Sequence, residues 1–298
     1  MKRLISANAS EILAMSAAEL KKSIQACEGR VILSENISSR EPFIGDITNA
    51  EIARAFGADL ILLNGVDVHR PEIFGLEHRN CNPVEELHRL VGRPIGVNLE
   101  PVDPHADMLE DRLEIPLGRQ LNLESVKRIE ELGFNFVCLT GNPGTGVTND
   151  QIEKSITLTK AYFSGLIIAG KMHGAGSSEK IIDLETVKRF LKAGADIILV
   201  PAVGTVPGFD EIELKAIVKT VHQFNGLVLS AIGTSQESSD ADTVKDIAIT
   251  NKICGVDIQH IGDSGYGGLA PVENIFALSK ALRGIRHTVS VIARSINR

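Results

Sequence analysis

"AGADIILVPAVGT", Ala193 to Thr205, has the form of a helix end followed by a buried strand, and nearly the same phrase occurs four times. The others are "FGADLILLNGVDV" from Phe56, "LGFNFVCLTGNPG" from Leu132 and "CGVDIQHIGDSGY" from Cys254. Each has a glycine as its second residue (Gly57, Gly133, Gly194, Gly255), where a residue without Cβ can take the left-handed conformation that stops a helix. The glycines are 76, 61 and 61 residues apart, about twice the roughly 30 residues of one βα unit. A further strand is therefore expected between each pair. "RVILSEN" from Arg30, "RPIGVNLE" from Arg93, "GLIIAGKMHG" from Gly165 and "GLVLSAIGTS" from Gly226 fill those places, making eight strands. Their continuous apolar character suits parallel strands covered on both faces.

Helical patterns alternate with the strands. "DLETVKRFLKAGA", "NLESVKRIEELG" and "DEIELKAIVKTVHQF" place apolar residues at helical spacing, with Asp183, Asn122 and Asp210 as N-caps. Residues 10–26 are expected to form an extra N-terminal helix within a cap of residues 1–29, and residues 284–298 a C-terminal helical extension. No linker or shift in composition divides the chain. The reading is an α/β fold, one (β/α)8 TIM barrel over residues 1–298, with an open sheet of eight strands as the alternative.

With 43% hydrophobic and 23% charged residues, the composition is that of a packed globular protein. A net charge of -7 without a Lys/Arg-dense stretch argues against a nucleic-acid partner. The first residues lack the continuous apolar run of a signal peptide, and no run reaches the roughly 18 apolar residues of a membrane span. Cys27, Cys81, Cys138 and Cys254 are widely spaced without a CxxC pair, which favours reduced thiols in the cytoplasm.

In such a barrel the chemistry gathers on the loops after the strands. The strand ends are polar here: Glu35 and Asn36; Asn64; Asn98 and Glu100; Thr140 and Asn142; Lys171 and His173; His260 and Asp263. The seventh and eighth connections, "GTSQESSDAD" and "GDSGYGGLAPVEN", are small-residue loops leading into helices, so their amides suit an anion. Gly233, Thr234, Ser235, Gly262, Asp263, Ser264, Gly265 and Gly267 are the phosphate-binding candidates, unless these residues only make turns. Asn36, Asn64, Asn98, Asn142 and His260 are candidates for holding the rest of a small anionic metabolite.

Lys171 in "GKMHGAGSSEK" closes an apolar strand, where burial lowers a lysine's pKa and suits it to Schiff-base or proton-transfer chemistry. The alternative is a buried ion pair with Glu100 or Glu35. His173 is a proton shuttle or metal ligand, and Glu100 and Glu35 are general acids or bases, or magnesium ligands. Aligned strictly, the odd strands put Lys171 and His173 in phase with Ser34 and Asn36, and Glu35, Asn98 and Glu100 in the opposite phase. A slip of one residue exchanges the two sets. No cofactor is required, and a divalent metal, Zn or Mg, is the open alternative, with His69 and His260 near His173 and a looser His78/Cys81 pair. Arg70, Arg112 and Arg119 stand on two long connections that could reach an anionic substrate.

"HGAGS" at His173–Ser177 resembles the segment that supplies a zinc ligand in class II aldolases, which implies a metal role for His173. The alternating "GADII" strands and glycine-rich final loops resemble the ribulose-phosphate-binding barrels, which implies a sugar-phosphate-type ligand. Over its whole length the chain resembles a bacterial TIM-barrel family of unknown function whose members carry labels such as phosphonomutase-like. The expected activity is a lyase of aldolase type or an isomerase. A metal-dependent hydrolase or lyase and a non-catalytic metabolite-binding barrel are the alternatives, and homo-oligomers are common among barrels.

Overall fold

The computed structural model describes residues 1–76 and 82–298, so His78 and Cys81 lie outside the described residues. Eight parallel strands, β1 Val31–Ile37, β2 Leu60–Asn64, β3 Ile95–Leu99, β4 Phe136–Leu139, β5 Leu166–Gly170, β6 Ile197–Pro201, β7 Leu227–Ile232 and β8 Ile258–Ile261, pair in sequence order. β8 returns to β1, closing the barrel and excluding the open sheet. The helices between them are α3 Asn49–Ala55, α4 Pro83–Val91, α5 Leu123–Leu132, α6 Asn149–Tyr162, α7 Leu184–Ala193, α8 Glu211–Gln223 and α9 Ala241–Ile253. Asn122, Asp183 and Asp210 cap α5, α7 and α8 by accepting backbone N–H groups.

The fourfold phrase has a physical cause. Its fourth residue is Asp59, Asn135, Asp196 or Asp257, standing just before β2, β4, β6 and β8. Each side chain accepts a backbone N–H from the preceding strand: Ile32 to Asp59 Oδ2 at 2.9 Å, Ile95 to Asn135 Oδ1 at 2.8 Å, Ile167 to Asp196 Oδ2 at 3.3 Å and Val228 to Asp257 Oδ2 at 2.8 Å. The backbone N–H of the same four residues donates back to the carbonyls of Ile32, Ile95, Ile167 and Val228. An acceptor there pins an odd strand to the even strand that follows it. The preceding glycines, with φ of 117°, 79°, 117° and 94°, turn the chain out of the helix into that clamp.

Strand alternation sorts the apolar residues into two layers. Val31, Leu33, Leu60, Leu62, Phe136, Cys138, Leu166, Ile168, Leu199 and Leu229 fill the barrel, while Ile32, Ile61, Val97, Val137, Ile167, Ile198 and Val228 pack on the outer helices. Gly96 points inward on β3, where a Cβ would lie 2.2 Å from the Phe136 ring, so its absence makes room for that ring.

The N-terminal cap differs from the single helix expected over residues 10–26. It contains α1 Ala9–Leu13 and α2 Ala17–Gln25, because Ser16 and Glu19 form a reciprocal capping box that starts a second helix. Leu4, Ile5, Ile12, Leu20 and Ile24 join the inner layer and plug the N-terminal mouth. The chain ends in α10 Val272–Ala293, broken at Gly284 by φ 70° and ψ 164°. No helix among the described residues is long and apolar enough to cross a membrane.

Candidate active site

The inward phase that fills the barrel continues past the apolar layers and ends in polar residues at the C-terminal mouth. Following Leu33, Leu62 and Cys138 by two positions gives Glu35, Asn64 and Thr140. Asn98 follows Gly96, and Gly233 follows Ala231. These residues, with Asn142, Met172, His173, Thr234, Ser235, Glu237, Gly262, Asp263 and Ser264, line a cavity of about 250 Å³. The two glycine-containing bends after β7 and β8 thus share one cavity, and Ser264 Oγ lies 3.3 Å from Ser235 Oγ.

The amides form a connected network. Asn64 Nδ2 donates to Asn142 Oδ1 at 2.9 Å and to Asp263 Oδ2 at 3.0 Å, and Asn98 Nδ2 donates to Asn64 Oδ1 at 3.3 Å. Behind it stands Glu100, 1% exposed, which accepts from the backbone N–H and Nδ2 of Asn142, both at 2.8 Å, and from Arg119 Nη2 at 2.9 Å. Glu100 therefore positions Asn142 and does not line the cavity. Arg119 is held in the wall by the same pair, Arg112 is tied to the carbonyls of Asp103 and Ala106, and Arg70 is exposed.

Three carboxyls face the cavity with no lysine or arginine among its lining residues. Glu35 Oε2 is 2.8 Å from His260 Nε2; that ring is buried, does not line the cavity, and has no partner for Nδ1. Glu237, 3% exposed, accepts the Ser264 N–H through Oε1 at 3.1 Å and leaves Oε2 without a partner. Burial pushes its carboxyl above the usual range. Burial, then the charge of Glu35, pushes Asp263 up to about 7, with the Asn64 amide acting in the opposite direction and Glu237 adding to the rise. His173 accepts the Ala175 N–H at Nδ1, so Nε2 carries its proton, and burial lowers its pKa.

Lys171 does not share this cavity. It is in phase with the outward Ile167 and Ala169, is fully buried, and donates to Glu179 Oε1 at 2.5 Å. Glu179 also accepts the Asn149 N–H at the start of α6. The partner is neither Glu100 nor Glu35; burial lowers the lysine pKa, and Glu179 acts in the opposite direction. His173 reaches the cavity because β5 ends at Gly170, after which strand alternation no longer governs the chain. Asn36 also faces outward, donating to its neighbour's carbonyl at Ser34.

Part of the anion cradle expected at the last two loops is engaged from within. The N–H groups of Gly262, Gly265 and Gly268 donate to the carbonyls of Ile232, Asp263 and Gly265, and that of Ser264 donates to Glu237. Gly265 and Gly267 do not line the cavity, and the Gly267 carbonyl accepts from Asn49 Nδ2. Glu237 itself was not among the sequence candidates. It lies in a short 3-10 turn, Gln236–Ser238, where neither helical nor strand period marks its facing. Among the described residues no group of three or more His, Cys, Asp or Glu converges to hold a metal ion. His69 is exposed, His260 is bound to Glu35, and His173 Nδ1 is occupied, so the expected zinc histidines are not brought together.

The profile of a domain of unknown function, DUF7916, matches residues 5–298. The chain belongs to that family. This agrees with the whole-chain resemblance to a barrel family of unknown function. Among proteins of curated function none matches the sequence. Of solved structures, 2,3-dimethylmalate lyase, described as a PEP mutase/isocitrate lyase superfamily member, is similar with a TM-score of 0.50 and 11% identity, covering 86% of this chain and 81% of that one. Thiamine phosphate pyrophosphorylase from Pyrococcus furiosus gives 0.48 and 15%, covering 86% and 97%. At such identity the likeness to the lyase shows the barrel and nothing finer.

Proposed function

We propose that this DUF7916 chain is an enzyme, a lyase or isomerase that moves a proton on a small polar metabolite, with Asp263 as the acid–base group. The observation that carries the proposal is the Asp263 carboxyl, held by Asn64 at 3.0 Å on the wall of the cavity and pushed up to about 7 by burial and by Glu35. A carboxyl with that pKa is populated in both protonation states near neutrality, which is what general acid–base catalysis requires. Perturbed groups of this kind in a cleft are a recurrent mark of active sites. The cavity, at about 250 Å³, is below the roughly 300–1,000 Å³ of sites for drug-sized ligands and suits a metabolite of a few carbons.

Neutral His173, with its proton on Nε2, is a hydrogen-bond donor or proton relay lining the same cavity. Glu35, paired with His260, supplies the negative charge that helps keep Asp263 protonated. The Schiff-base version of the lyase is set aside, because Lys171 faces the outer layer and is paired with Glu179. A phosphorylated substrate has less support, since Glu237 and Asp263 stand on the cavity wall beside the last two loops. No step is routed through a metal. The free, buried thiols of Cys27, Cys138 and Cys254 support a reducing, cytoplasmic compartment.

Candidate three- to five-carbon metabolites incubated with the protein in D2O, followed by proton NMR, test the reading. A substrate should take up solvent deuterium, and Asp263→Asn should slow that uptake by about 10²- to 10⁴-fold without loss of folded protein. Exchange at the wild-type rate in folded Asp263→Asn would overturn it.

A further inference from the structure

The cavity wall is rich in acceptors and lacks a positive charge, although nothing about a barrel mouth forbids one. Glu237, Asp263 and Glu35 supply its formal charges. Three of its buried polar atoms have no partner: Glu237 Oε2 in the turn after β7, and Asn98 Oδ1 and Thr140 Oγ1 at the ends of β3 and β4. These side chains are 3%, 3% and 1% exposed, so bulk water does not satisfy them. Buried acceptors left unmade cost free energy and call for a donor from a ligand. In the closed strand order, β7 lies four strands from β3, so the unpartnered atoms stand on opposite walls.

The geometry points to a small amine carrying a second hydrogen-bond donor, its ammonium against Glu237 and Asp263 and its hydroxyl against Asn98 Oδ1 and Thr140. This rests on the same cavity being the active site, and it narrows the substrate to the class of amino alcohols. An ammonium offers three donors and a charge but no acceptor, which complements carboxylates that now repel one another. A metal ion would answer the same charge, but the described residues present no convergent set of three ionisable ligands. An anion would add to the repulsion among Glu35, Glu237 and Asp263. Asp263 is faced by Glu35 from β1, Asn64 from β2, Glu237 from the β7 connection and His260 from β8, and the ammonium would favour its ionised form.

Three ligands on one three-carbon skeleton separate these cases: serinol as the amine, glycerol as the neutral triol and glycerate as the anion. Isothermal titration calorimetry of the intact protein should show serinol binding at least about tenfold more tightly than glycerol, and glycerate more weakly than either. Glu237→Gln should reduce serinol affinity by a similar factor while leaving glycerol unchanged. Asp263→Asn, which keeps the shape of its side chain, should weaken serinol in the same direction if Glu237→Gln fails to fold. Equal or tighter binding of glycerol or glycerate, binding of magnesium chloride in place of serinol, or no binding of serinol would overturn the inference. Serinol binding in a protein that never exchanges ligand protons would remove the proton-transfer reading and leave the amine. Turnover of an anionic substrate without amine binding would do the reverse.

Discussion

Above neutral pH the Asp263 carboxyl must ionise beside Glu35 and Glu237, and it does so only at a cost to the fold. Its folded pKa of about 7 lies above the ordinary 3.8. The native state therefore holds a proton that the unfolded chain has already lost, and stability falls as pH rises from about 4 through 7. Asp263→Asn should consequently raise Tm at pH 8 and leave it nearly unchanged at pH 4, as read by calorimetry at both values; an equal effect at the two would contradict this. Lys171 differs in kind. Its ion pair with Glu179 is buried on the lysine side, so Lys171→Ala should destabilise the protein by about 3 kcal/mol, seen as a lower denaturation midpoint. Borohydride with candidate oxo compounds should leave wild-type Lys171 unmodified in a peptide map. The sequence marks Lys171 as catalytic and Asp263 only as a phosphate-binding candidate, because which of them meets the cavity depends on the facing of β5 and β8, which the sequence does not show.

At the scale of elements, the four clamps set the pairing of odd with even strands, and each acceptor has a further partner. Asp59 binds Arg283 at 2.6 Å, both almost fully buried. Asn135 meets His88, Asp196 meets Lys21, and Asp257 meets His222. Asp59→Ala orphans the Ile32 N–H and strands a buried guanidinium, so it should cost about 3–5 kcal/mol. Asp196→Ala, at a weaker 3.3 Å contact whose cations are partly exposed, should cost about 1 kcal/mol. Urea titration of the two variants measures the difference, and equal losses would refute the clamp as the source. His222 adds a pH signature. The hydrogen bond to Asp257 raises its pKa above 6.5. Its stabilisation is then complete below the unfolded value and fades as pH rises through the folded one. His222→Gln should remove that fraction of the pH dependence of Tm and leave the rest. The recurring Asp or Asn is visible in the sequence as part of a repeat. Its role is not, since the backbone N–H it accepts belongs to another strand.

For the whole molecule, the closed cylinder was legible because its signal is repeated. Glycine, Asx and a β-branched run recur at double-unit spacing, and no linker interrupts them. The site was legible in position and less so in membership. Alternation alone grouped Glu35 with Asn98 and Glu100, and Lys171 with Ser34 and Asn36, but which group turns inward is decided when β8 closes on β1. Closure also brings the carboxyls of the first, seventh and eighth units together, although Glu35 is more than two hundred residues from Glu237 and Asp263 in the chain. The irregular β7 connection hides Glu237 from any periodic reading, and internal acceptors engage the Gly262, Ser264 and Gly265 amides of the loops that look like an anion cradle. One titration tests the acid–base group most directly. Carbon-13 NMR of the protein labelled at the aspartate carboxyl carbon should show a single resonance titrating near pH 7, absent from Asp263→Asn and shifted by a bound amine. If every aspartate resonance instead titrates below about pH 5, the range of ordinary aspartates, the proposed acid–base group does not exist.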